Sequence, residues 1–302
     1  MPGADASHTA LGLFDLLTVY TTRQLSLPSD TLNAMLGILN LLSQKREKPI
    51  YHICGVPILR LNNEKSGINA DNDVATAVGL GGFLDGLRWR LQEPAQRRHG
   101  FPSWSWTGWQ GVVAGMNKDS RPINQTSGFA IDISVIPGGQ EDGVAVPWSL
   151  CYEQLRMTDD SNSVIRSGQQ HILEITASAA TIKFHIGEYE GRPNILIGTI
   201  FAGNKVWQGE FILTRKDEDN NENKFLCSLI RESWTGIVLG NSQSQKHTNL
   251  HDTTLFVIQE HEYEQRQRNA RDHIYCERIG LLTLLHCTLD GSSLEQRTWR
   301  LK

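Results

Sequence analysis

"HILEITASAATIKFHIG" (His171–Gly187) alternates apolar and polar residues over two short runs. A side-chain period of two belongs to a strand with one buried face, because successive Cβ atoms point to opposite sides of a sheet. "FAIDISVI" (Phe129–Ile136) has the same texture. "NILIGTIFAGNKVWQGEFILTRK" (Asn194–Lys216) reads as two strands turning at Gly203-Asn204, a pair suited to positive φ. "KFLCSLIRES", "WTGIVLG", "TTLFVIQEH", "IYCERIGLLTLL" and "QRTWRLK" continue the series. The polar stretches between them, "RKDEDNNENK", "GNSQSQKHTNLHD" and "EHEYEQRQRNARDH", are expected as loops, the first and last of them exposed hairpin connections. Many strands with turn signals and almost no helical period imply an antiparallel sandwich or barrel.

Upstream the period changes. "ALGLFDLLTVY" (Ala10–Tyr20) is long enough for a short helix. In "LPSDTLNAMLGILNLLSQKREK" (Leu27–Lys48), Leu32, Met35, Leu36, Leu39 and Leu42 recur at three- and four-residue spacing, and Ile38 and Leu41 widen the stripe. That pattern predicts a helix buried on most sides. Ser29 or Asp30 is expected to cap it, with Arg23 pairing with Asp30 or a nearby carbonyl. A third helix is expected over "VATAVGLGGFLDGLRWRLQE" (Val74–Glu93). Its glycines Gly79, Gly81 and Gly82 complete no phosphate-loop pattern. The fold class is α+β: a mainly helical region, residues 1–125, packed on an antiparallel β-rich domain, residues 126–302. The boundary falls in the polar stretch "GMNKDSRPINQTSG", broken by Pro122.

Of 302 residues, 39% are hydrophobic and 21% charged, with a formal net charge of -4. Such a balance offers no global positive field, so neither nucleic acid nor an anionic membrane is expected as a partner. Cys54, Cys151, Cys227, Cys276 and Cys287 are odd in number and scattered, which fits a reduced intracellular chain. The first apolar run is interrupted by Asp15 and follows no basic residue, making it a poor signal peptide. Asn124-Gln125-Thr126 forms a glycosylation sequon, read as a chance match.

No active site can be assembled from the residues. His251, His261 and His273 lie in or beside loops with Glu260, Glu262 and Glu264, but the His-Glu-x-x-His spacing of a zinc helix is absent. No Gly-x-Ser-x-Gly elbow occurs, and no cysteine has the setting of a thiol nucleophile. Glu188 and Glu190 flank Tyr189 in a turn-rich stretch with nothing apolar to raise a pKa. No metal and no cofactor are expected.

"HGFPSWSWTGWQG" (His99–Gly111) remains, with Trp104, Trp106 and Trp109 close together. In an extended chain Trp104 and Trp106 would share a side, opposite Ser103 and Ser105. Each ring brings ~150–250 Å² to bury, enough to anchor a loop across a domain junction. Sugar-binding platforms are usually spread over a sheet face rather than bunched in one Gly/Pro-rich loop. A structural wedge is therefore preferred to a ligand platform.

"VYTTRQLSLPSDTLNAMLGIL" (Val19–Leu39), followed by "GLRWRLQEPAQRRHGFPSWSWTGWQG" (Gly86–Gly111), resembles the region downstream of the HET domain in fungal heterokaryon-incompatibility proteins. The matching residues are Tyr20, Arg23 and Leu25, then Ser29, Asp30, Leu32, Asn33 and Ala34, then Pro102 to Trp109. "YCERIGLLTLL" and the closing "WRLK" look like the tail of such proteins. The Leu-Ser-Tyr-x-Trp-Gly type motif that opens a HET domain is absent. "RWRLQE" (Arg88–Glu93) mimics a later HET motif, a similarity taken as accidental. The chain is thus expected to be the C-terminal half of such a protein, from a truncated gene model or a shortened paralogue. The resemblance implies fungal cytoplasm, non-self recognition and programmed cell death, with the death-inducing activity in the HET domain. It points to a non-enzymatic accessory or regulatory region, whose partners are other proteins or the parent HET-domain protein. Two alternatives stand beside it: an intracellular carbohydrate-binding β-sandwich stacking sugars on the tryptophans, and an uncharacterised hydrolase using the loop histidines and acids.

Overall fold

The computed structural model describes residues 10–23, 27–46, 49–59, 72–114, 123–124, 129–139, 143–157, 170–202, 205–216, 222–243, 251–261, 274–287, 289 and 294–302. Leu25, the Gly203-Asn204 turn, the middles of the three polar loops, most of the boundary stretch with Pro122, and Gln125 and Thr126 of the sequon lie outside them. So do His273, Glu262 and Glu264.

The N-terminal part runs α1 (Ala10–Thr21), a 3-10 turn (Pro28–Thr31), α2 (Asn33–Ser43), β1 (Tyr51–Ile53), β2 (Val56–Ile58), α3 (Asn72–Gly86) and β3 (Arg90–Leu91). A second 3-10 turn (Trp106–Gly108) precedes β4 (Val113–Ala114) and β5 (Ile123–Asn124). Then come β6 (Asp132–Ile136), β7 (Val146–Pro147), α4 (Trp148–Met157), β8 (Ile172–Tyr189), β9 (Arg192–Ala202) and β10 (Lys205–Leu213). The chain finishes with α5 (Glu222–Arg231), β11 (Ser233–Gln243), β12 (His251–His261), β13 (Ile274–Leu284) and β14 (Glu295–Leu301). The fold is α+β, with a β-rich C-terminal region.

Six strands close on themselves. β8 pairs with β9, β9 with β10, β10 with β13, β13 with β12, β12 with β11, and β11 returns to β8, every pair antiparallel. Closure leaves this ring without a free sheet edge. β14 bridges the first halves of β8 and β13, antiparallel to one and parallel to the other. The alternation of the sequence sorts side chains to two faces. Ile182, Phe184, Val238, Leu255, Val257 and Leu282 fill one core with their neighbours inside the ring. Ile175, Ile237, Phe256, Ile258 and Trp299 belong to a second, larger core shared with the helices. One extra residue on β13, Ile279, lies between Arg278 and Gly280, where the register against β12 shifts. This bulge puts Ile279 in the inner core while Cys276 and Arg278 stay outside the ring.

Several elements differ from the sequence reading. "KFLCSLIRES" was expected to be a strand and forms α5. Leu229 is fully buried and Phe225 and Leu226 pack against the inner core, a helical spacing that a short apolar run disguises. α4 was not anticipated, although Trp148, Cys151, Tyr152 and Leu155 form its buried face. α3 stops at Gly86 rather than continuing to Glu93, so that Arg90–Leu91 can pair with β4. Gly82 and Gly86 seat α3 on β2: a Cβ would meet the Leu59 carbonyl oxygen at 2.0 Å or the Pro57 oxygen at 1.9 Å. The glycines that invited a phosphate-loop comparison include this contact surface. Ser29 and Asp30 do not cap α2; they lie in the 3-10 turn, and the cap residue, Leu32, makes no side-chain hydrogen bond. Pro28 opens that turn, and α2 starts beyond both residues, at Asn33.

Candidate functional site

The tryptophan loop lies where the helical part meets the ring. It is not extended. Ser105 Oγ accepts from Thr107 N at 3.2 Å and caps the Trp106–Gly108 turn, so the rings diverge to different partners. Trp106 Nε1 donates to Gly55 O at 2.8 Å, and Ser105 Oγ donates to Cys54 O at 2.6 Å. Both carbonyls belong to the β1–β2 turn, where Gly55 has φ +86° and a Cβ would press on the Trp106 ring at 3.1 Å. Trp104 Nε1 donates to His171 O, just before β8, at 3.3 Å, and its ring meets Phe83 of α3 edge-on. Trp109 Nε1 closes the loop on Ser103 O at 2.8 Å.

Ser103 ties the loop to the ring. Its N–H donates to Lys302 O at 2.6 Å, and its hydroxyl oxygen accepts from Arg278 N at 3.1 Å. Trp104, Trp106 and Trp109 are 0%, 1% and 1% exposed. The carbohydrate alternative placed stacking on these rings, and none of the three has an open face for a sugar. Arg23 was expected to pair with Asp30 or a nearby carbonyl; among the described residues its side chain makes neither contact, and both residues sit near Tyr20, whose hydroxyl donates to Thr31 O at 2.8 Å.

Sequence reasoning missed the buried cations that surround this loop. Arg278 is fully buried, and its Nη1 and Nη2 donate to Leu87 O at 3.1 Å and Trp89 O at 2.6 Å. Its guanidinium lies between the rings of Trp89 and Phe256, 3.8 and 4.6 Å from their centroids. Burial pulls its pKa well down, but a guanidinium begins so high that the group stays charged. The signal was parity: with Cys276 facing the helical part, a strand turns Arg278 to the same side. Arg88 pairs with buried Asp85 at 3.2 Å, and the same carboxylate oxygen accepts from Ile123 N at 3.0 Å. Arg97 Nε lies 3.4 Å from Glu277 Oε1.

The residues considered for catalysis scatter. His261 Nε2 lies 3.7 Å from Glu277 Oε2, while Glu260 accepts instead from Thr235 Oγ1. His286, not singled out beforehand, sits 4.0 Å from Asp252. Glu190 and Gly191 turn β8 into β9, both at positive φ. Burial pushes the thiols of Cys151 and Cys287 up to about 12 and those of Cys54 and Cys276 upward as well, so none of these four is an activated nucleophile. Among the described residues no group of three or more His, Cys, Asp or Glu could hold a metal ion. Nor, among them, is any helix long and apolar enough to cross a membrane. No family model, no curated protein and no solved structure matches the chain.

Proposed function

We propose that the chain is a non-enzymatic accessory or regulatory region of a fungal heterokaryon-incompatibility protein, acting by binding other proteins or the parent HET-domain protein. One observation carries this reading. The block that bears the resemblance, Pro102 to Trp109, is the buried joint between the β1–β2 turn and the strands β8 and β13. A motif used in this way preserves a scaffold, and function then lies in the surfaces and sites that the scaffold carries. The scatter of histidines and acids and the raised thiols support the same reading. In this account the chain works in the fungal cytoplasm during non-self recognition, and the killing activity resides in the HET domain.

The test is viability on induced expression of residues 1–302 in a filamentous fungus, beside a fusion carrying an upstream HET domain. Growth should continue with the chain alone and stop with the fusion. Robust killing by the chain alone would overturn the reading.

A further inference from the structure

The tryptophan loop has an outer side. Ser29, Arg97, Arg98, His99, Gln110 and Gln170 line a cavity of about 430 Å³ there, floored by Gly100 and Phe101. That volume is within the range of small-molecule pockets, roughly 300–1,000 Å³. Its lining carries a hydroxyl, two guanidinium groups, an imidazole and two side-chain amides, of which the Gln170 amide already donates to Gly100 O and the Arg97 fork to Gly108 O and Lys302 O.

The two arginines differ in a way that matters. Arg97 is neutralised by Glu277. Arg98 pairs with no carboxylate among the described residues. Its Nη1 donates to the carbonyls of Thr107 and Trp109, which clamps the guanidinium against the loop. Its Nε is buried without a hydrogen-bond partner, as is that of Arg97. Burial lowers the Arg98 pKa, as it does that of Arg97, while nearby Tyr20 raises it. A guanidinium without a carboxylate partner, fixed in place beside a cavity of donors, is the chemistry that recognises an oxyanion.

We propose that this cavity binds a small ligand through a phosphate group, with Arg98 as its charged anchor and Ser29 and Gln110 as further donors. Phosphate fits better than carboxylate, because these donors come from separate stretches of chain and a phosphate offers accepting oxygens in more directions than a planar carboxylate. Phe101 supplies an apolar wall for the body of the ligand. The inference does not depend on the proposed incompatibility role.

Isothermal titration of the full chain with inorganic phosphate, with acetate, and with chloride at matched ionic strength tests the proposal. Saturable binding of phosphate is expected, at least tenfold tighter than acetate, with chloride giving no saturable signal. Amide chemical shifts should move at His99, Gly100, Gln110 and Gln170. Gln110→Glu puts an opposing charge at an exposed position with no side-chain partner among the described residues, so it should fold normally and weaken phosphate binding at least tenfold. Arg98→Gln should do the same, provided its circular dichroism spectrum is unchanged. Absence of saturable phosphate binding would overturn the proposal. So would acetate binding as tight as phosphate, or phosphate binding that Gln110→Glu leaves intact.

Discussion

Arg278 reaches from β13 to Trp89 and holds it twice, donating to its carbonyl at 2.6 Å while its guanidinium lies 3.8 Å from the centre of its ring. A charge removed from water is costly unless its donors are occupied; here two backbone carbonyls take Nη1 and Nη2 and two aromatic faces lie against the guanidinium, while Nε is buried without a partner. Lysine could not reproduce the arrangement, because an ammonium has neither the planar stacking surface nor the fork that spans two carbonyls. Arg278→Lys should therefore lower the unfolding free energy by about 2–4 kcal/mol, on the scale of other broken buried charge networks. Urea denaturation measures it, and a loss below about 0.5 kcal/mol, the level of a neutral surface change, would contradict the role given to this residue.

Four of the five cysteines are buried, and Cys227 alone is exposed. An aromatic disulfide reagent at mildly alkaline pH should modify one thiol quickly in the native protein and the remaining four only after denaturation. Cys227→Ser should remove the fast phase altogether. A second fast thiol would show that one of the buried sites opens readily.

Asp85 gives stability a pH dependence of unusual sign for a carboxylate. Burial raises its pKa above the ordinary 3.8, against the lowering effects of Arg88 and of the Ile123 N–H. The native state therefore holds this proton more tightly than the unfolded chain does. Stability contributed at Asp85 is fully present below pH 3.8 and is lost as pH rises through the raised native value. Asp85→Asn removes that titration. The unfolding free energy of the parent minus that of the variant should fall as pH rises from below 3.8 and then level off. A difference that grows with pH would mean that Arg88 outweighs the cost of burial.

Much of the sheet was legible because strand alternation is a local signal. β8, β9 and β10 follow directly from "HILEITASAATIKFHIG" and "NILIGTIFAGNKVWQGEFILTRK". Ring closure was not legible, since the pairing of Ser233 with Lys183 joins residues far apart in sequence. α5 was misread because a short amphipathic helix and a buried strand share an apolar composition, and only Leu229 with Phe225 and Leu226 separates the two. Tryptophan burial could be anticipated from the cost of wet aromatic surface. Arg278 could not be recognised as the partner of Trp89 and Ser103, because nothing local in "YCERIGLL" says what a buried cation will meet.

The central claim is that the tryptophan loop couples the helical part to the ring of strands. Hydrogen exchange followed by mass spectrometry in Trp106→Ala tests it most directly. The substitution removes a buried ring and the bond to Gly55, and should cost ~3–5 kcal/mol, as large-to-small core changes do. Exchange should accelerate on both sides of the joint, in the β1–β2 hairpin and in the segments of β8, β13 and β14 that face the loop. Faster exchange confined to residues 99–111, with the hairpin and the strands protected as before, would contradict the claim.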